Sequence, residues 1–339
     1  MADREFVFGR ADVQKLLREN FVVVAADDWY QRRQNDAAGR FFRSVADQGP
    51  RKGAGGATRQ GRYTFSASGK LLGFNNNRDP RRMISMLQDS LRKFRVLPPT
   101  ERTPGAVQVP PLPFSARDQR YTRALPKDII PVKVHARVLT ENGQGEYAAC
   151  GQPGANTETY RHSGFGVATD HLWLKKAELG QLSKLAREKP GQKVSDILAM
   201  RIARFHLVDN TRGEPPHWRR DEVRKLECRT SPMTTASGAP YRNAFRIAGK
   251  FHLETKDGKR GYQGEIDGYM RTHVNTGEFD LHLVALGDHW GEGPYTRGAR
   301  SGKNPLAIVF TAADRSIIQN QIPPQAARWE QGYFEAHRH

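Results

Sequence analysis

Two short stretches gather the side chains that do chemistry. The first runs His206-Leu-Val-Asp209-Asn210-Thr-Arg212-Gly-Glu214-Pro-Pro-His217-Trp218, the second Gly287-Asp288-His289-Trp290-Gly-Glu292-Gly293. Each mixes imidazole, carboxylate and indole, and the first adds a guanidinium. Imidazoles and carboxylates together bind zinc, copper or iron. The same groups without a metal carry protons. His171, His206, His217 and His289 are therefore the candidate metal ligands, with Asp288 or Glu292 as a carboxylate ligand or base. Asp288, Glu292, Glu214 and Arg212 are the candidate catalytic groups, and Asp209 lies among them. Neither stretch contains His-Glu-x-x-His or His-x-His, so the spacing does not single out a metal. The alternative is that these residues cap helices and hold loops by hydrogen bonds.

Other reactive types are sparse. Cys150 and Cys228 are the two cysteines, and no Cys-x-x-Cys exists. A dithiol redox centre and a zinc knuckle are thereby excluded, while a single disulfide is open in an oxidising compartment. No Gly-x-Ser-x-Gly is present. Gly53–Gly61 is a basic, glycine-rich segment without the Gly-x4-Gly-Lys-Ser/Thr pattern, and it reads as a mobile loop rather than a phosphate cradle. A second histidine set, His252, His273 and His282, alternates with apolar positions and so faces away from the core. A four-residue turn would set His273 opposite Asp280 and His282 opposite Arg271.

The elements that must position these groups fall into two parts. In the first, Ala11–Asn20 is a short amphipathic helix with Val13, Leu16 and Leu17 on one side. Phe21-Val-Val-Val-Ala-Ala26 reads as a strand buried on both faces. A helix through Gln48 follows, with Phe41, Phe42 and Val45 inward. A hairpin over Arg62–Asn75 turns at Ser66–Gly69. Asp79 and Pro80 then start a helix lined by Met83, Met86, Leu87 and Leu91. Residues 97–126 are a proline-rich linker. In the second part, Pro131–Leu139 is an alternating strand. A helical segment covers 177–188, and Ser195 starts a helix with Ile197, Leu198, Ile202 and Phe205 on one face. From Ala244 onward, strands at 244–254, 262–274, 278–287 and 305–311 form an antiparallel meander.

The order of the first part resembles a thioredoxin-like domain over about residues 5–96. The matching features are the apolar strand ending at Asp27-Asp28-Trp29-Tyr30, the glycine-turn hairpin and the proline-capped last helix. Where that family carries Cys-x-x-Cys, this chain has Tyr30-Gln31-Arg32-Arg33-Gln34. Where it carries a cis-proline, this chain has Thr58-Arg59-Gln60-Gly61. The resemblance thus implies a redox-inactive domain, since thiol exchange needs a thiolate. The whole chain also resembles an uncharacterised class of exported bacterial proteins through Asp170–Leu174, Arg204–Pro216 and Ala285–Gly293. That likeness implies a periplasmic protein whose signal peptide is not in this chain, with the cytoplasm left open.

The chain is an α+β protein on this reading: a degenerate thioredoxin-like α/β domain at 1–96, the linker at 97–126, and a mainly antiparallel β domain with a few helices at 127–330. With 339 residues it can bury one large core or two ordinary ones. No run of about 18 apolar residues marks a membrane helix. Lys and Arg number 54 against 36 Asp and Glu, a balance of 54 − 36 = +18. The densest basic stretch spans Trp29–Arg62, and such a surface attracts polyanions. The expectations are therefore a metal-binding protein or metal-dependent enzyme with its site in the β domain, or a non-catalytic protein that binds a partner or polyanion through its Arg-rich first part.

Overall fold

The computed structural model describes residues 7–53, 58–77, 79–103, 113–116, 118, 125–141, 144–149, 167–188, 191, 193–233, 241–328 and 330–337. Two compact units divide the chain at residues 123 and 124. Both helices and strands are present, and the strands of the second unit form a mainly antiparallel sheet. No helix among the described residues is long and apolar enough to cross a membrane.

In the first unit, helix α1 (Ala11–Asn20) forms as the periodicity predicts and buries Val13. The apolar run after it does not form the expected buried strand. Phe21–Ala26 lies outside any strand, with Val22 95% and Val24 73% exposed. The expected helix through Gln48 is split into α2 (Asp28–Gln31) and α3 (Ala37–Ala46). The break is set by two caps, because the Asp27 and Asp36 carboxylates each accept a backbone N–H at a new helix start. Strands β1 (Arg62–Phe65) and β2 (Leu71–Asn75) make the hairpin, with Gly69 at φ +81 in its turn. Helix α4 (Pro80–Arg95) begins on Asp79, whose side chain accepts from Arg81 N, and buries Met83, Met86 and Leu87. A short helix, α5 (Pro99–Arg102), follows within the segment read as linker. Part of the Gly53–Gly61 segment lies outside the described residues. Its Arg59 is buried on Asp47, with Nε 2.9 Å from Oδ1.

The second unit is an eight-stranded sheet. Its strands are β3 (Ile129–Glu141), β4 (Tyr147–Ala149), β5 (Val167–Lys175), β6 (Val223–Pro232), β7 (Tyr241–Glu254), β8 (Gly261–His273), β9 (Phe279–Trp290) and β10 (Asn304–Ala312). Both β4 and β5 pair with β3, and the order then runs β3-β10-β9-β8-β7-β6, all antiparallel. Helices α6 (Lys176–Glu188) and α7 (Asp196–Phe205) pack on one face, and α8 (Glu330–Phe334) ends the fold.

Alternation sorts the side chains. Val132, Val134, Ala136 and Val138 of β3 join Leu306, Ile308 and Phe310 of β10 and Leu281, Leu283 and Ala285 of β9 in one core. Helix α7 drops Leu198, Ala199 and Ala203 into it, while Ile197, expected inside, is 39% exposed. The two alanines let the helix lie close to the sheet, which turns the buried side away from Ile197. Gly264 and Gly287 face each other across β8 and β9. A Cβ on Gly287 would stand 1.9 Å from the Gln263 carbonyl oxygen, so the close backbone approach there requires glycine.

The meander register differs from the expected one. His282 sits opposite Tyr269, and Arg271 opposite Asp280, because the four-residue turn is Val274–Gly277, closed by His273 and Glu278, one residue earlier than the expected register places it. A shift of two residues keeps every side chain on its face. His282 is therefore exposed as expected, and His252 and His282 pair with Glu254 and Asp280 at 2.7 and 3.3 Å.

Candidate active site

The loop from His206 to Trp218 carries the first group of candidate residues, and it is buried almost throughout. A buried loop must satisfy its backbone internally. Asp209 starts that: its Oδ1 accepts Thr211 N at 3.0 Å and Thr211 Oγ1 at 2.6 Å. Its Oδ2 accepts Arg212 Nε at 2.9 Å. The remaining Arg212 nitrogens reach across to the segment after β9, donating to the carbonyls of Thr296 and, at 3.1 Å, Gly291. One buried ion pair thus ties two loops together. Burial pushes the Asp209 carboxyl up, but the Arg212 guanidinium, His289 and the Thr211 bonds outweigh it and hold the group at about 2.

His289 stands beside this pair. The sequence placed Asp288 and His289 in one loop, but both belong to β9, so they point to opposite faces of the sheet. His289 turns inward, opposite Tyr262 of β8 and Asn304 of β10. Its Nδ1 is 3.9 Å from Asp209 Oδ2, beyond hydrogen-bond reach. The residue is 9% exposed, and among the described residues its ring makes no hydrogen bond. Burial, reinforced by Arg212, Arg260 and Arg300 against the pull of Asp209, lowers the imidazole to about 4. It is neutral at pH 7. Its exposed edge lines a small cavity with Asp209, Arg212, Trp290, Arg300 and Asn304. The enclosed space is about 20 Å³, room for roughly one water.

His206 ends α7 in a different setting. Its Nε2 lies 2.8 Å from the Tyr333 hydroxyl, which also accepts Trp173 N at 3.2 Å. Because that oxygen receives the Trp173 N–H, the hydroxyl proton is free to be donated to His206. Asp170 Oδ2 faces Nδ1 at 3.6 Å, and Asp170 Oδ1 accepts Gln325 N at 3.0 Å. Burial raises the Asp170 carboxyl, yet His206 and the backbone amides prevail and leave it below its ordinary value. Arg201 of α7 completes the group, donating to the Trp173 carbonyl at 3.0 Å and clasping Glu178 with two nitrogens. Among the described residues β5 pairs only with β3, and Tyr333 and Arg201 satisfy groups on the outer edge of that strand.

The four candidate metal ligands do not converge. His171 is buried on β5, opposite Lys133. His217 packs its ring edgewise on Phe205 at 5.1 Å. His206 and His289 belong to the separate groups just described. Among the described residues, no three His, Cys, Asp or Glu side chains stand together as a metal site. Of the candidate catalytic groups, Arg212 is in the cavity wall, and Asp288 lies opposite Gln263 and Pro305 with its side chain on the other face. Glu292 is exposed and accepts the amides of Gly298 and Ala299 at 2.7 and 3.3 Å. Glu214 is half-buried in the first loop.

Sequence reasoning missed Tyr333, Arg201, Glu178, Arg300 and Asn304. Tyr333 falls beyond the boundary drawn at 330, and nothing in its local pattern marks it. Arg201 carried a signal: a guanidinium on the inward stripe of a short helix requires a buried partner. Cys228 is a free, buried thiol, raised to about 11 by burial, and Cys150 lies outside the described residues.

A second internal space is apolar. It lies between α6, α7 and the sheet, lined by Leu198, Ile202, Cys228, Ile266 and Met270 among others. At about 40 Å³ it is far below the ~150 Å³ that takes up a benzene-sized molecule. Comparison of the chain with protein-family models, with curated proteins and with solved structures finds no match.

Proposed function

We propose that the second unit binds a small polar molecule at His289 and that His289 acts on it as a general base. The carrying observation is that its imidazole is nine-tenths buried, lines a cavity and makes no hydrogen bond among the described residues. Most buried polar atoms in proteins are paired; this one lines a cavity open at one edge, so its ring is available to a ligand. Asp209 is ionised beside Nδ1, which favours the proton on Nδ1 and leaves the Nε2 lone pair to accept. A neutral imidazole is the form that takes a proton. Arg300 and Lys303, with Lys303 over the Trp290 ring at 4.4 Å, make the rim positive. The ligand class is therefore a small anion whose O–H or N–H enters the water-sized space toward His289 while its charge stays at the Arg300–Lys303 rim, such as a hydroxycarboxylate.

Entry requires the segment between β9 and β10 to yield. Gly291, Gly298 and Gly302, at φ +77, +86 and +71, supply turning points there. The first unit adds, as a proposal, a thioredoxin-like scaffold without redox cysteines, supported by its hairpin and its proline-capped helix. The expected metal ion remains a proposal that rests on residue types, and the same experiment examines it.

Histidine side-chain NMR of the whole chain is the test. In the free protein one imidazole should titrate near pH 4 and vanish in His289→Gln. Glycolate should perturb that resonance alone, with acetate weaker. An ordinary titration near 6.5 for His289 refutes the reading, as does its indifference to both anions. Perturbation of several histidines at once by one equivalent of Zn²⁺ would instead restore the metal-binding reading.

A further inference from the structure

The basic stretch that the sequence marks, Trp29–Arg62, spends its guanidinium groups inside the first unit. Arg32 pairs with Asp28 at 2.9 Å, and Arg59 is buried on Asp47. Arg43 donates to the carbonyls of Arg32 and Gln34, Arg62 donates to that of Asn77, and Arg33 lies over the Trp29 ring at 3.5 Å. Helix α4 does the opposite. Its inner side buries Met83, Met86, Leu87 and Ser90. Arg81, Ser85, Gln88, Arg92 and Arg95 recur at helical spacing on the other side and form one stripe. All five are exposed, and so are the flanking Arg82 and Lys93. The helix thus carries five cations against one carboxylate, Asp89. The side chains of Arg82 and Arg95 make no hydrogen bond or ion pair among the described residues. Neighbouring carboxylates do not cancel this charge. Asp79, the cap, meets Arg81 at 3.6 Å and Asp89 meets Arg92, yet those arginine side chains stay 80% and 70% exposed. Pairs so open to water are worth little and exchange for another anion. Strands β1 and β2, packed against the helix, hold no Asp or Glu. Helix α1, also packed against it, has Lys15 and Arg18 against Asp12 and Glu19, and Asp12 is bound by Arg10 at 2.6 Å.

We propose that the outer stripe of α4 docks in the major groove of double-stranded DNA. The chemistry of the stripe chooses that partner. A membrane-surface helix offers its apolar side to lipid. The apolar side of α4 is already filled against β1 and β2, and the stripe holds no large apolar side chain, Val96 standing past its end. Guanidinium forks, with glutamine and serine between them, are the side chains that bond phosphates and base edges. An α-helix is about 10–12 Å across, and the major groove is about 12 Å wide. Arg81 and Arg95 stand about 21 Å apart along the axis, so the two ends of the stripe meet different parts of the duplex. The Arg81 end, with Ser85 and Gln88, faces the base edges, and Arg92 and Arg95 meet the phosphates at the groove wall. The excess of Lys and Arg over Asp and Glu in the chain, +18, draws the duplex in.

Fluorescence anisotropy of a labelled mixed-sequence duplex, titrated with the full chain at several salt concentrations, tests this. Binding at about 1–100 µM is expected at physiological salt, weakening steeply as salt rises. Arg92→Gln with Arg95→Gln should lower the slope of log affinity against log salt by about 2, at about 0.9 per phosphate lost, and weaken binding about tenfold or more. Glutamine keeps the helix, so the thermal midpoint should hold. Arg246→Gln with Lys250→Gln removes the same charge from the exposed face of β7 and should leave the slope unchanged. No binding at low salt overturns the proposal. Equal losses from the two double variants do so too, because net charge alone then attracts the duplex. A single strand of the same length bound as tightly as the duplex removes the groove, and tighter binding to phosphatidylserine vesicles than to the duplex removes DNA as the partner.

Discussion

Two buried histidines stand three residues from, or beside, the same loop, each next to an aspartate, and they are built for different ends. His206 gives Nε2 to Tyr333, whose hydroxyl also closes the edge of β5, while its Nδ1 faces Asp170 at 3.6 Å without a hydrogen bond. His289 meets Tyr262 edgewise, makes no hydrogen bond among the described residues and opens on a cavity. A polar group that is buried and paired costs little and fixes a packing arrangement. One that is buried and unpaired costs stability, and a site that binds a ligand there recovers that cost only when occupied. The contrast separates a structural imidazole from a functional one on physical grounds, although both looked alike as letters in the sequence.

The heaviest blow to this contrast falls on Arg212. Arg212→Ala strands the Asp209 carboxylate in the interior and frees the loop carbonyls of Gly291 and Thr296. Removing one member of a buried pair costs roughly 3–5 kcal/mol. Urea unfolding at pH 7 should show a loss of that size. A loss near zero would mean that the pair is solvated and that the cavity wall is not fixed.

Acid sharpens the comparison next. The unfolded chain binds a proton at His289 near 6.5, while the folded chain does not until about 4. Between those values the unfolded state holds more protons, so acidification favours unfolding. Stability is full above pH 6.5, falls as the pH drops from 6.5 to 4, and levels off below. At 1.36 kcal/mol per unit the loss is about 3 kcal/mol. His289→Gln removes this slope, so its stability curve should be flatter than that of the parent across pH 4–6.5. Parallel curves would show that His289 is solvated. The Asp209 carboxyl, held at about 2, adds its own loss only below that window.

How much of this was legible follows from what each feature depends on. The meander, its faces and the proline-capped α4 depend on local periodicity and caps, and the sequence carries both. The register of β8 and β9 depends on where the turn sits, and a one-residue displacement of it shifts the pairing by two residues and leaves the face pattern unchanged. Asp288 and His289 looked like neighbours in a loop because Gly and Trp flank them, yet the strand continues to Trp290 and sends them to opposite faces. Phe21–Ala26 reads as a buried strand by composition, but burial is a tertiary property and the described fold supplies no neighbour to pair with it. Tyr333 pairs with His206 across 127 residues of sequence, a separation no local pattern encodes.

The smallest effect tests the structural half of the comparison. Tyr333→Phe keeps the ring among Phe205, His206 and Phe334 but deletes the hydroxyl. Nε2 of His206 and the Trp173 amide then lose their partner together. Orphaned buried groups cost about 1–3 kcal/mol, and the 3.2 Å bond to Trp173 is the weaker of the two. Unfolding should therefore register a loss in that range, with β5 amides exchanging faster than those of β8. The variant His206→Phe should cost a similar amount, and the double variant less than the sum, because both remove the same bond. Neither variant should alter the response of His289 to glycolate, since Tyr333 takes no part in that cavity wall. Additive losses would dissolve the pair. A changed glycolate response would join the two histidines into one system and remove the distinction between them.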